Sequence, residues 1–405
     1  MFTKEKYLRS DDMEKQRVVY LDNAATTRMS NEVYREMLDA YGSLYGNPSS
    51  VYKAGVEASE AMQKSREKIA KAIGAKPEEI YFTSGGTEAN NWAIKGIAKA
   101  NMHKGKHIIT SAIEHPSVLE SCKALEKEGF KVTYIPVDEF GVVKYSEIVK
   151  SIGPDTVLIS IMMANNEVGS LQPIRAIAEL AKQNGVVFHT DACQAIGAIN
   201  INAKELGVDA ISISAHLING PKGIGALYVK NGTKISNLIS GENRDPRAGS
   251  LSIPLCAGFG VAIENATTDL DEKVKAVRIV RKYFQKKLSE AVHNIALNGH
   301  PIQRVANNCN VMFEGAESEA VVMLLDKEGI CASSCTGVEN KSNTPSHVLL
   351  AMGKDAEWAR SSVRFTLGAD ITKEDVDEIV ETIRKVVKKV RSISAIRIYK
   401  NKVEL

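Results

Sequence analysis

Long apolar runs are missing from this 405-residue chain. The longest mostly apolar stretches, such as Val157–Met163, fall far short of the roughly 20 residues that a membrane-spanning helix needs, so no membrane partner is expected. Cysteine is sparse as well. Six thiols, Cys122, Cys193, Cys256, Cys309, Cys331 and Cys335, are too few for a disulfide scaffold. Only Cys331 and Cys335 lie close together, and without a CxxC or HxxxH partner they do not make a zinc site, so no metal is expected. The first four are expected to be small buried residues. Excess charge of one sign is also lacking: 52 Lys and Arg against 49 Asp and Glu leave +3, too little to imply direct nucleic-acid binding. The first 17 residues are polar without an apolar segment, so no signal peptide is expected and the cytoplasm is the expected compartment. Repeats and low-complexity linkers are absent.

What is present is an ordinary globular balance, 44% hydrophobic and 25% charged residues, in a chain too long for one core. From about residue 60 to 230, short β-rich runs alternate with amphipathic segments. The runs are Ile80–Thr83, His107–Thr110, Val132–Val137, Val157–Met163, Val186–His189, Ala210–Ile213 and Ala226–Val229. The segments Ala54–Ile73 and Ile174–Gln183 carry apolar residues at three and four spacing. This rhythm predicts an α/β fold with a mainly parallel sheet covered by helices, whose ligands gather beyond the carboxyl ends of the strands. After about residue 265 the rhythm changes to a long charged helix over 270–292, short strands near Val311–Phe313 and Ser362–Thr366, and a last helix. Thr372 and Asp375 form a capping-box variant before its apolar face of Val376, Ile379, Val380, Ile383, Val386, Val387 and Val390. The basic end of that helix reads as a solvated face with cations near a helix C-terminus rather than as an RNA patch.

Several strand ends finish in polar clusters. Thr83-Ser84-Gly85-Gly86-Thr87-Glu88, between a strand and a helix, is a candidate phosphate cradle, because glycines admit an anion to the unpaired N–H groups of a helix start. It is neither a Walker loop nor GxGxxG. The other ends lead to Glu114-His115-Pro116, to 164–169 with Asn165 and Asn166, to 190–194 with Asp191 and Gln194, and to 214–223 with Ser214 and His216. Any one His or Asp among these could be structural. Together at one sheet edge they match what a planar, charged, phosphorylated cofactor needs.

The sequence resembles the cysteine desulfurases of the NifS/IscS type, pyridoxal-phosphate enzymes of the aspartate aminotransferase fold (fold type I). The resemblance rests on Tyr20–Thr27, Gly46–Ser50, Thr83–Asn91, Glu114-His115, Asn165–Gly169, Asp191–Gln194, Ser214–Gly225, Arg247–Leu251, Pro345–Leu349 and Ser362–Gly368, and covers nearly the whole chain. It implies a large cofactor-binding domain over 28–265 and a smaller α+β domain made of 1–27 and 266–405. It also implies roles. His115 stacks on the pyridine ring and takes part in proton transfer. Asp191 pairs with the ring nitrogen and keeps it protonated, and Gln194 donates to the phenolic oxygen. Asn166 sits at that oxygen and at the substrate carboxylate. Gly86, Thr87, Ser214 and His216 hold the phosphate. Ser250 falls where the family reaches the partner subunit's phosphate, which implies a homodimer, and Arg364 clamps the substrate carboxylate.

Two departures stand out. Where the family has its Schiff-base lysine this chain has Leu217, which can neither form that bond nor move a proton. Three readings stay open here: a substitution that silences catalysis but leaves cofactor binding, a divergent member with a binding or scaffolding role, or a cofactor-modified lysine behind the leucine. Lys222 is a possible substitute amine. The second departure is the sulfur-accepting loop, Cys331-Ala332-Ser333-Ser334-Cys335-Thr336-Gly337, which lacks the family's Gly-Ser-Ala before its nucleophile. Cys335, followed by polar turn formers, is the expected nucleophile, and Cys331, after Gly329-Ile330, the more packed of the two.

The expected function is cysteine desulfuration, moving sulfur from L-cysteine to a persulfide on Cys335 with release of alanine. A sulfur-acceptor protein, an iron–sulfur scaffold or a tRNA-thiolation protein, would then take the sulfur. The alternatives are a catalytically silent scaffold and a related lyase or transaminase, such as a selenocysteine lyase.

Overall fold

The computed structural model describes residues 18–241, 247–334 and 344–393. Its strands, in chain order, are β1 (Val19–Tyr20), β2 (Ile80–Thr83), β3 (His107–Ser111), β4 (Lys131–Ile135), β5 (Thr156–Ser160), β6 (Val187–Asp191), β7 (Ala210–Ser214) and β8 (Gly225–Val229), followed by β9 (Ile295–Asn298), β10 (Asn308–Phe313), β11 (Ile330–Cys331), β12 (Ser333–Ser334) and β13 (Ser362–Thr366). Strands β2 to β8 form one sheet in the order β2-β8-β7-β6-β5-β3-β4. Only β8 runs against its neighbours β2 and β7; the other pairings are parallel. The sheet is therefore mainly parallel, as the alternating pattern predicts.

Period-two alternation gives each strand two buried faces. Ile108, Leu158, Ala210 and Leu227 pack with Trp92, Ile94 and Val118 on one side. Their chain neighbours Ile109, Ile159, Ile211 and Ala226 pack with Ile69, Ile177 and Phe259 on the other. Two expected strands prove shorter. The run from Val132 stops at Ile135 because Pro136 has no N–H for the ladder. The run from Val157 stops at Ser160, and the chain then turns so that Met163 N donates to Asp191 O.

A second core lies around the antiparallel sheet β12-β13-β10-β9. The helices Leu270–Ala291 and Lys373–Ile393 bring Phe284 and the whole predicted valine and isoleucine face into it. Phe365 sits edge-on to Phe284 and Phe313, with centroids 5.4 and 6.4 Å away. The segment after β1 connects the two cores. Leu21 is buried in the second core and pairs its backbone with Cys331 and Thr366, while Thr27 donates from N and Oγ1 to His216 O.

No described helix is long and apolar enough to cross a membrane. Cys122, Cys256 and Cys309 are buried and Cys193 is half-buried, all free thiols.

The last helix starts on a reciprocal cap: Thr372 N donates to Asp375 Oδ2 at 2.9 Å, and Asp375 N donates to Thr372 Oγ1 at 3.2 Å. Thr372→Ala should lower stability by about 1 kcal/mol in urea unfolding, and Thr372→Ser should not. Equal losses from both variants would remove the cap from the account of this helix.

Candidate active site

Because β2, β3, β5, β6 and β7 run parallel, their carboxyl ends share one edge, and every polar cluster noted in the sequence emerges there. At the end of β2 the chain passes through Gly85, with φ of 156°, into the helix Gly86–Asn101. A Cβ on Gly86 would lie 2.5 Å from Cys193 Sγ and 3.5 Å from Ser214 Cβ. Glycine is thus what lets three strand ends meet at the helix start. The carboxylate of Glu88 accepts from Ser84 N and pairs with Arg247 at 2.9 Å, tying the loop before Ser250 to this cradle. Thr87 and Ser250 are exposed.

Asp191, at the end of β6, is 7% exposed. Its Oδ1 accepts from Cys193 N at 2.9 Å and its Oδ2 from Asn90 Nδ2 at 2.7 Å. Two residues earlier, His189 bridges Ser160 Oγ and Ser212 Oγ, each at 2.9 Å. Burial pushes its imidazole down to about 4, so it is neutral and links β5, β6 and β7 with one donor and one acceptor. Gln194 donates from Nε2 to Ala24 O at 2.9 Å, which leaves its second N–H for another acceptor. His115 is the N-cap of the helix Pro116–Lys127, where its Nδ1 accepts from Ser117 N.

Beyond β7, Ala215–Leu217 form a single 3₁₀ turn. His216 Nδ1 faces Thr26 Oγ1 at 3.2 Å. Its pKa is lowered by burial, then by Lys222 and His115, which favours a neutral imidazole. Leu217 is half-buried in the same turn and Lys222 is exposed. From the second sheet, Arg364 reaches this edge: Nη2 pairs with Asp22 Oδ1 at 2.8 Å and Nη1 donates to Asn166 O at 3.0 Å. The fork expected to clamp a substrate carboxylate is therefore engaged at one N–H of each terminal nitrogen, and its Nε is buried without a partner among the described residues.

Cys335 lies outside the described residues, but both flanks of its loop are fixed at this edge. Ser333 pairs with Arg364 in the β12–β13 ladder. On the far side, Ser346 Oγ donates to the Glu167 carboxylate next to Asn166, and His347 Nε2 donates to Glu114 O next to His115. Cys331 belongs to β11, and burial, Asp326 and Asp22 raise its thiol, disfavouring the thiolate.

The donor set fits a phosphorylated pyridine aldehyde at its phosphate and its ring nitrogen, and lacks one group. Ser214 Oγ is buried beside the glycine cradle without a partner among the described residues, which suits a phosphate donor. Asp191 offers a buried carboxylate to a ring N–H. At position 217 there is no amine.

Sequence reasoning missed Asp22, Asn90 and Ser117. Asp22 and Asn90 lie within quoted motifs, but nothing in the sequence marks them as partners of Arg364 and Asp191. It also gave Glu114 no role. Glu114 is fully buried, accepting from Ser111 Oγ at 2.5 Å and Met162 N at 2.9 Å.

The aminotransferase class-V model matches residues 19–379. The chain is 48% identical over 380 residues to the cysteine desulfurase IscS of Methanosarcina thermophila, covering 93% of this chain and 94% of that one. It is 47% identical over 380 residues to the IscS of Dictyoglomus turgidum, covering 93% and 96%. Among solved structures, a NifS-like protein superposes with a TM-score of 0.86 at 37% identity, over 92% of this chain and 100% of that one.

Burial, opposed by the Ser111 and Met162 donors and reinforced by Asp191, pushes the Glu114 carboxyl up to about 8 from 4.5. The unfolded chain thus releases this proton first, and wild-type stability falls as pH rises between those values. The stability of Glu114→Gln relative to wild type should rise from pH 4.5 towards 8 in chemical denaturation. A constant difference would mean that Glu114 ionises normally.

Proposed function

The chain belongs to the aminotransferase class-V family, and from that membership we infer that it is a pyridoxal-phosphate-dependent cysteine desulfurase, moving sulfur from L-cysteine to one of its own thiols. The observation that carries this reading is the convergence of Asp191, His115, Ser214 and Arg364 on one sheet edge, flanked by both anchors of the Cys335 loop.

Pyridoxal phosphate, when bound, supplies an electron sink that allows bonds at the α and β carbons of an amino acid to break. The chain's residues supply the rest. Gly86, Thr87, Ser214 and His216 hold the phosphate, with Ser250 serving the site of a second subunit. Asp191 pairs with the ring nitrogen, His115 stacks on the ring and serves proton transfer, and Gln194 donates to the phenolic oxygen. Asn166 and Arg364 orient the substrate carboxylate, Arg364 through the N–H groups that Asp22 and the Asn166 carbonyl leave free. The Cys335 thiolate attacks the substrate sulfur. An S–S bond forms, the C–S bond breaks with its electron pair kept by carbon, and protonation of that carbon gives alanine.

Leu217 removes the covalent anchor and its amine from this scheme. That absence favours a silent scaffold as the second reading; the otherwise intact cofactor set weighs against it, since a protein that no longer bound the cofactor would have no use for it. The acceptor is an iron–sulfur scaffold or a tRNA-thiolation protein, and the compartment the cytoplasm, where free thiols persist. The proposed division is a cofactor domain over 28–265 and a small domain of 1–27 with 266–405.

A homodimer is supported by an apolar face that is exposed among the described residues: Tyr34, Leu38 and Tyr41 line one side of the helix Asn31–Ser43, and Val51, 95% exposed, lies in the segment after it. Sedimentation should give a dimer, and Leu38→Glu with Tyr41→Glu a monomer. A wild-type monomer would remove Ser250 from the site.

The reaction itself is tested by restoring the amine. Leu217→Lys should yield a yellow protein whose cofactor borohydride fixes on the peptide containing position 217, and should raise alanine release from cysteine on the order of 10²–10⁴-fold. In that background Cys335→Ala should abolish persulfide formation and Cys331→Ala should keep most turnover. A colourless Leu217→Lys protein would overturn the cofactor reading, and equal losses at both cysteines would overturn the choice of nucleophile.

A further inference from the structure

Two residues that the functional reading uses separately, Asp191 and His115, are joined by two that it does not use. Asn90 lies on the helix Gly86–Asn101, and its Nδ2 is 2.7 Å from Asp191 Oδ2 and 2.9 Å from Ser117 Oγ. Ser117 Oγ lies 2.8 Å from His115 Nδ1. Asn90 and Ser117 are both buried, so water does not compete along this line.

Chemistry fixes the polarity of every link. An ionised carboxylate only accepts, so the Asn90 atom that faces Asp191 is its amide nitrogen. That nitrogen only donates, so Ser117 Oγ accepts its second proton and turns its own hydrogen towards His115 Nδ1. The Ser117 backbone N–H, which also can only donate, points at the same ring nitrogen from 3.2 Å. Nδ1 therefore carries no proton, and the neutral ring carries it on Nε2. Asn90 directs both donors along this line and leaves its own Oδ1 buried without a partner among the described residues. A side chain serving packing alone would gain by giving that oxygen a donor.

We propose that Asn90 and Ser117 are positioning residues that hold His115 in its Nε2–H tautomer and couple it to Asp191. The residue taken as the ring-stacking group then meets cofactor and substrate as a hydrogen donor at Nε2 rather than with a bare lone pair. The inference rests on the assignment of His115 and Asp191 to the cofactor site, but the tautomer itself does not depend on the reaction catalysed.

The test is long-range ¹H–¹⁵N correlation on the full chain labelled at histidine, in the cofactor-free protein, with His115→Gln to assign the signals. The Nε2–H form should exceed the Nδ1–H form at least tenfold in wild type. Ser117→Ala, which keeps the backbone N–H but removes the hydroxyl, should lower that ratio roughly fivefold, the worth of one hydrogen bond. Ser117→Thr should restore it, and Asn90→Ala should lower it as Ser117→Ala does. A proton on Nδ1 in wild type, or a ratio unmoved by Ser117→Ala, would overturn the proposal. Failure of the Leu217→Lys protein to release alanine from cysteine, alongside the predicted tautomer, would count against the functional reading and leave the positioning role of Asn90 and Ser117 standing.

Discussion

A carboxylate at the inner end of a parallel strand must be compensated, because burying a charge in a low-dielectric interior is costly unless donors or a counter-charge meet it. Asp191 is that group here, and two neutral N–H donors, from Cys193 and Asn90, hold its two oxygens. Much of the sheet edge is arranged around them. The Cys193 amide is in place because the chain turns immediately after β6, and the turn packs against Gly86, where a Cβ would collide with the thiol. Asn90 is in place because the helix from Gly86 lies over β7 and β8. A carboxylate held by neutral donors keeps its net negative charge for a cation to meet, and a protonated pyridine nitrogen is the cation that the proposed reaction brings.

The second constraint is mechanical. Substrate recognition is assigned to Arg364 in one sheet and cofactor binding to the edge of the other, so the two must be held in register. The segment Leu21–Thr27 does this with backbone and side-chain bonds to both: Ala24 N donates to Thr366 Oγ1, Gln194 Nε2 to Ala24 O, and Thr27 Oγ1 to His216 O. Ser346 and His347 add a second tie, since each bonds to a loop beside a proposed site residue. The described flanks of the proposed nucleophile's loop thus lie beside the proposed site residues.

The parallel sheet was legible in the sequence because buried strands read as apolar runs and its helices as three- and four-spaced faces. The last helix was legible down to its cap. Strand ends were read less well where a proline or a turn, rather than hydrophobicity, stops the ladder, as at Pro136 and after Ser160. The polar clusters were visible as clusters, but their partners were not. Asp22 meets Arg364 across 342 positions of sequence and Asn90 meets Asp191 across 101, and no local pattern encodes such pairings. Glu114 gives no local sign of its burial, which comes entirely from the elements around it. Leu217, by contrast, is a departure visible only in the sequence: the turn around it is an ordinary 3₁₀ turn, and its missing amine has no structural signature.

The proposed cofactor site is complete apart from its covalent anchor. Titration of the purified chain with pyridoxal phosphate, followed by dialysis and by borohydride reduction with peptide mapping, tests this most directly. Saturable binding that dialysis reverses, with no cofactor fixed to any peptide, is expected. Absence of saturable binding, or cofactor fixed on the peptide containing Lys222, would contradict that proposal.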